Sequence, residues 1–206
     1  MEAVRRGGIR VTAKPDAPYV VHQCRQRPGD RGEWYDVREF VTPDSLGLTI
    51  DHMTALDPDD IALHCLRWVA HMIVYESDRK RHKVSDWWQR PSETIARWHG
   101  DCEDGALPLA SMLIACGIPR NRVFVCVGHV TTWRGSRSHA WVAYYREKDS
   151  RPVALDWCFG KVDTTTPIAK RRSMKWSLRH WHRNVRFWFN DKVSGYGKLP
   201  LKVRGE

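Results

Sequence analysis

Between residues 102 and 158 the spacing of apolar residues changes once, from a helical period to a period of two, and this switch limits the folds open to the chain more than any other feature. "CEDGALPLASMLIAC" is an apolar run of helix length that stops at Gly117, with Pro119 two residues on, the arrangement that ends a helix. "NRVFVCVG" follows, apolar on both faces as a central strand is, and then "SHAWVAYY" and "RPVALDWC" flank the turn-like "REKDS". A helix followed by a run of strands that includes a hairpin predicts an α+β domain, with the helix packed on an antiparallel sheet.

The hairpin also sets a register. With the turn at 147–150, residue 146 pairs with 151 and, counting outward, 139 with 158. Asp156 then shares a face with His139 and lies diagonally opposite it, at a Cα separation of roughly 7–8 Å that two side chains can span. A slip of one residue would send them to opposite faces.

At the other end of the argument stands "WHGDCEDGA", residues 98–106. Asp101 reads as a helix cap, which puts Cys102 at the helix start. A thiolate nucleophile needs a base, usually histidine, and a third polar group to hold the imidazolium; Cys102, His139 and Asp156 supply all three. A helix dipole and an imidazolium lower a thiol pKa from its usual value of about 8.5, provided that Asp101 and Glu103 turn away from the sulfur or are engaged elsewhere. For these two acids, capping is the expectation from the residues alone, since two carboxylates fall short of the roughly 6–8 oxygen ligands that calcium takes.

"WWQRPSETIARWHGDCEDGALPLASMLIACGIP", then "SHAWVAYY", then "PVALDW" resemble, in that order, the transglutaminase-like superfamily, and within it the bacterial transglutaminase-like cysteine proteinases. The resemblance covers roughly residues 84–158. It implies a papain-like α+β fold in which Cys102 is the nucleophile, His139 the base and later the acid, and Asp156 the orienting group. It implies a cysteine hydrolase, a peptidase or amidase, that works on a protein or peptide substrate through a thioester. No cofactor is required, although some proteinases of this family bind calcium through the acids flanking the cysteine, here Asp101 and Glu103. An oxyanion donor from Trp88 or Gln89, beside the amide of Cys102, is implied as well, with the choice between them open.

Elsewhere the chain is less explicit. "LDPDDIALHCLRWVAHMIVYE" predicts a core helix capped by Asp57, with Pro58 in first place and Ile61, Cys65, Trp68 and Met72 along one stripe. A short helix is expected from about Ser92, with Ser92 as its cap. Residues 1–50, rich in Gly, Pro and Arg, read as loops with one or two strands at "APYVVHQC" and "EWYDVREFV". The expected organisation is a 1–50 irregular segment, a 51–160 catalytic core and a 161–206 basic, Trp-rich extension packed on that core.

Charge separates these parts. Residues 1–100 balance 15 Lys+Arg against 15 Asp+Glu, whereas 160–206 hold 12 against 3. The stretch 170–189 interleaves seven Lys/Arg with three Trp and two Phe, a composition that suits a nucleic-acid surface and equally an amphipathic segment whose aromatics cover a core. With no nucleic-acid motif beside it, packing is the expectation. The same segment motivates an alternative from another class: a non-catalytic structural protein, for instance a phage virion or assembly component, that binds partner subunits or nucleic acid. His180 and His182 in "HWH" have no third ligand in view and read as surface residues.

Six cysteines without paired spacings argue against a disulfide framework or zinc knuckle and for a reducing compartment. No apolar run approaches the ~20 residues a membrane helix needs, and the first residues hold no signal-peptide run. The expectation is a cytoplasmic or virion-associated protein with no membrane segment.

Overall fold

The computed structural model describes residues 36–46, 56–83, 86–131, 135–159, 162–174, 182 and 184–200, and the strand backbone alone at 4–6, 9–11, 21–25, 33–35 and 132. The first 36 residues contribute a four-stranded antiparallel sheet, β1 (Val4–Arg6), β2 (Ile9–Val11), β3 (Val21–Arg25) and β4 (Glu33–Asp36), in that spatial order. This is more strand than expected: β1 and β2, three residues each, are too short to show alternation. Immediately after β4, Val37, Phe40, Val41 and Leu46 enter the main core.

Asp57 caps α1 (Pro58–Met72), its carboxylate accepting from the amide of Asp59 at 2.9 Å. The buried face runs through Ile61, Ala62, Cys65, Leu66 and Val69 to Ile73. It is turned by roughly one residue from the expected stripe, leaving Met72 37% exposed, because Ala62, Leu66 and Val69 join Ile61 and Cys65 in the core. Next come β5 (Val74–Tyr75), the single turn α2 (Asp78–Arg81), α3 (Pro91–Arg97) and β6 (His99–Gly100), with β5 and β6 paired in parallel. The cap of α3 lies two residues before the expected one. Arg90 is its cap, Pro91 its first residue, and Glu93 Oε2 accepts from the Arg90 amide at 2.7 Å, so Ser92 lies within the first turn.

α4 (Cys102–Ala115) is the central helix, buried from Glu103 to Ile114. Past its first turn it is apolar apart from Ser111, whose hydroxyl donates to the Leu107 carbonyl at 2.8 Å, as suits a helix enclosed by other elements. It ends as anticipated: Gly117 adopts a φ of 88°, and Gly117 and Ile118 donate to the carbonyls of Ile114 and Leu113 at 3.0 and 3.1 Å, closing a Schellman motif.

The sheet beneath α4 holds β7 (Val123–Thr132), β8 (Gly135–Tyr145), β9 (Pro152–Leu155), β10 (Asn184–Phe189) and β11 (Ser194–Tyr196), in the order β11-β10-β7-β8-β9, every neighbour antiparallel. One face, with Val125, Ala140, Val142, Tyr144 and Leu155, belongs to the core shared with α1 and α4. The other gathers Cys126, Val130, Trp141, Ala143 and Met174. β10 lies within the sheet between β11 and β7 and sends Phe187 and Phe189 into the main core. Part of 161–206 is therefore a component of the sheet, where the sequence suggested a cover laid over it. Residues 175–181, with His180, lie outside the described residues. No helix among the described residues is long and apolar enough to cross a membrane.

Candidate active site

Two corners meet where the start of α4 approaches β8. The first is set by the β8–β9 hairpin. Val142 pairs with Leu155 and Tyr145 with Pro152, and the Arg146 amide donates to the Arg151 carbonyl at 3.2 Å, the register counted from the turn; the ladder ends at Leu155, before the counted pair of 139 with 158. His139 Nε2 lies 2.7 Å from Asp156 Oδ2, and both side chains are more than nine-tenths buried. Asp156 Oδ1 accepts from the amides of Cys158 at 3.2 Å and Phe159 at 3.1 Å.

A second histidine reaches the same carboxylate. His182 Nε2 is 2.6 Å from Asp156 Oδ2, and the ring packs edge-on to Trp141 at 5.1 Å. The reading of His182 as a surface residue is thus overturned: it is 8% exposed. Its only signal in the sequence was "HWH" just ahead of an alternating apolar run, which gave no hint of the partner 26 residues upstream. Burial pushes the Asp156 carboxyl up, yet the hydrogen bonds and charge of His139 and His182 outweigh it and hold the group far below the ordinary carboxylate range.

The second corner surrounds Cys102. Trp157 Nε1 donates to the Cys102 carbonyl at 3.0 Å, and the indole lies so close to the helix that a Cβ on Gly105 would meet its Cε2 at 2.1 Å. The last glycine of "GDCEDGA" is therefore a requirement of packing. The thiol proton goes to Glu103 Oε2 at 3.1 Å. Glu103 does not turn away from the thiol, as an activated cysteine would require. Burial and the charge of Asp101 push the Cys102 thiol well up, so the resting thiol is protonated.

Around it is a buried acidic cluster wider than the two residues singled out. Asp104, the third acid of "GDCEDGA", accepts from the Gln89 amide at 2.7 Å, Gln89 Nε2 at 2.6 Å and the Asp101 amide at 3.2 Å. Asp78 accepts from the amide of Trp87. Burial, then the charge of Asp101, raises Asp104 to about 7; burial, then Asp101 and Asp104, raises Asp78 to about 8. Glu103 is driven well above the ordinary carboxylate range, by burial first and then by Cys102 and Asp101. Asp78 and Asp86 come from a polar connection whose sequence gave no sign of them.

Three sets of side chains here, Asp101–Cys102–Glu103, Asp78–Asp101–Asp104 and Asp78–Asp86–Glu103, each bring candidate ligand atoms within 4.8 Å of one another. Buried Asp101 Oδ1 and Glu103 Oε1 have no hydrogen-bond partner among the described residues. The orphaned carboxylate oxygens of Asp101 and Glu103 suit a hard divalent cation.

The two oxyanion candidates are occupied. Trp88 Nε1 donates to Asp86 Oδ1 at 3.2 Å. Gln89 Nε2 donates to Asp104 and, at 3.1 Å, to the His99 carbonyl, while its Oε1 accepts from Arg97. Gln89 braces the start of α4 from beneath.

A sequence profile described as the Transglutaminase-like superfamily matches residues 49–158. No curated protein matches the chain. Among solved structures, Legionella pneumophila LapG in its EGTA-treated form aligns with a TM-score of 0.55 at 22% identity, covering 72% of each chain. The calcium-bound form of Legionella pneumophila LapG gives 0.54 at 22% identity, covering 76% of each. The α+β fold, with a helix packed on an antiparallel sheet, is what the chain shares with them. Neither result favours the alternative of a non-catalytic structural component.

Proposed function

Because the chain belongs to the transglutaminase-like superfamily, we propose that it is a cysteine hydrolase acting on peptide or other amide bonds, with Cys102 as nucleophile, His139 as base and then acid, and Asp156 as orienting group. The observation that carries this reading is the tie between the start of the helix and the histidine pair: Trp157, the residue after Asp156, donates to the Cys102 carbonyl at 3.0 Å, and Asp156 is bonded to His139 at 2.7 Å. On the reaction path Sγ turns from Glu103 to His139, gives up its proton and bonds to the substrate carbonyl carbon. The amide of Cys102, at the helix start, is a donor for the oxyanion. His139 then protonates the departing amine as the C–N bond breaks, and water cleaves the thioester to release the acid and restore the thiol.

The acidic corner bears on this chemistry. Asp78, Asp86, Asp101 and Glu103 would hold a calcium ion, their oxygens forming part of its coordination shell. A bound calcium ion supplies positive charge that offsets the carboxylates facing the sulfur, so that the helix dipole and an imidazolium can favour the thiolate.

The test is hydrolysis of a panel of fluorogenic peptide amides, with and without calcium, alongside alkylation by iodoacetamide read by mass spectrometry. Cys102→Ala should abolish turnover and, with calcium present, remove the fastest-labelled site, and His139→Ala should lower turnover by roughly 10²- to 10⁴-fold. Turnover that survives Cys102→Ala would overturn the assignment.

A further inference from the structure

The acceptor capacity of Asp156 is fully used. An ionised carboxylate has about four lone-pair sites. Two backbone amides fill those of Oδ1, and two imidazoles converge on Oδ2, His139 at 2.7 Å and His182 at 2.6 Å. The His182 ring sits against Trp141 and Phe159, with centroids at 5.1 and 6.1 Å. Beyond Asp156 and His182 lies a cavity of about 310 Å³, also bordered by Asp163, Lys170, Arg171 and Arg172.

We propose that His182 is a positioning residue for the hydrolase reaction: its Nε2–H fixes the Asp156 carboxylate, ionised and aimed at His139, so that the working group is Cys102, His139, Asp156 and His182. This rests on the function proposed above. The geometry favours a proton over a metal at this point. Ligand atoms around a tetrahedral zinc with bonds of 2.0–2.1 Å stand roughly 3.3 Å apart, whereas these nitrogens lie 2.6–2.7 Å from the oxygen, in hydrogen-bond contact. Charge favours the same assignment. A buried carboxylate bonded to one imidazole alone has a vacant lone pair in a dry site and is prone to protonation or rotation. A second charge-capable donor removes both routes. When His139 gains the thiol proton, Asp156 is then held in place to stabilise the imidazolium.

The groups that face Asp156 define what a titration will sense: His139 from β8, Cys158 beside it, His182 from the C-terminal segment, and Asp163, Lys170, Arg171 and Arg172 around the cavity. The experiment compares His182→Ala and His182→Gln with the wild type, the glutamine retaining an N–H donor. Circular dichroism confirms the fold of each, and hydrolysis is followed across pH 4–9. His182→Ala should lose roughly 10- to 100-fold in kcat, the effect of one hydrogen bond to a charged group, with little change in KM and with its acid limb moved to higher pH. His182→Gln should recover most of kcat.

A readout independent of turnover separates this proposal from the function it rests on. In protein carrying 13C-labelled aspartate, the Asp156 carboxyl signal of the wild type should stay in its ionised position down to the acid edge of folding. In His182→Ala it should titrate within the folded range, and should the alanine variant not fold, His182→Gln against wild type reads the same contact. Unchanged kcat, acid limb and Asp156 signal in His182→Ala would overturn the proposal. So would stoichiometric zinc in the wild type that is lost from the variant.

Discussion

Asp104 and Asp156 are both buried aspartates within the same site, and their carboxyl groups are driven in opposite directions. Asp104 accepts three hydrogen bonds and still rises to about 7. Asp156 accepts four and falls far below the usual range. Burial is common to both, so burial does not decide the sign. The donors to Asp104 are neutral amides in the field of Asp101, whereas two of the donors to Asp156 are imidazoles able to carry the compensating charge. The acidic corner leaves Asp101 Oδ1 and Glu103 Oε1 without a hydrogen-bond partner among the described residues, whereas at the histidine corner two imidazoles meet the carboxylate.

The sharpest way to break this comparison is to remove the charge at the histidine corner while keeping the shape. Asp156→Asn should leave the fold in place and lower kcat by roughly 10²- to 10⁴-fold, because the amide cannot stabilise the imidazolium. Near-wild-type turnover in steady-state kinetics would show that the carboxylate is not needed.

A cation should act at the other corner alone. Calcium at about 100 times its Kd should raise the Tm by roughly 5–10 °C, from about 2.7 kcal/mol of binding linkage in a chain of this size. The paired change Asp101→Asn and Glu103→Gln should abolish that increment in differential scanning fluorimetry, while Asp156→Asn should leave it intact. An increment that persists in the paired variant would place the ion elsewhere.

The corners are joined by Trp157, which follows Asp156 in the chain and donates to the Cys102 carbonyl. Gly105→Ala should push this indole away and destabilise the protein by about 1–3 kcal/mol, a cost typical of overpacking, read as a lower Tm. A Tm equal to wild type would mean that Trp157 shifts at no cost and that the two corners are less tightly coupled.

Acid should weaken the histidine corner in a defined direction. The Asp156 carboxyl is depressed in the folded protein, so its stabilisation is complete above the unfolded value of about 4 and is lost as the pH falls toward the folded value. Urea unfolding of the wild type between pH 5 and pH 3 should therefore show stability falling with a steeper slope than in Asp156→Asn, which has no carboxyl to titrate. Equal slopes would mean that Asp156 is no more depressed than an exposed aspartate.

Much of the histidine corner was legible because a hairpin converts sequence separation into position. Once the turn is placed, the pairing of His139 with Asp156 follows from counting, and the register found between β8 and β9 is the one counted. The helix carrying Cys102 was legible from its stop at Gly117 and its apolar length. What could not be read were contacts made by segments without periodicity. Asp78 and Asp86 arrive from a polar connection, and His182 from a basic, aromatic stretch whose composition suggested packing but named no partner for the histidine. The direction of Glu103 was hidden for a different reason: helical spacing puts neighbouring side chains about 100° apart, but a side chain as long as glutamate can fold back to the residue before it.

Trp88 gives the smallest effect and the finest distinction. Its indole donates to Asp86 Oδ1 at 3.2 Å, while the ring packs between Phe40 and Phe189 at 5.5 and 5.9 Å. Trp88→Phe removes that donor from the acidic corner but keeps an aromatic ring in the core. It should cost about 1 kcal/mol in stability, the worth of one hydrogen bond, and change kcat by less than about twofold. A loss of about 100-fold in kcat at unchanged KM would show instead that the indole leaves Asp86 to meet the oxyanion during the reaction, since loss of one oxyanion donor costs about 10²- to 10³-fold. The acidic corner would then take part directly in the chemistry, in addition to setting the charge around the sulfur.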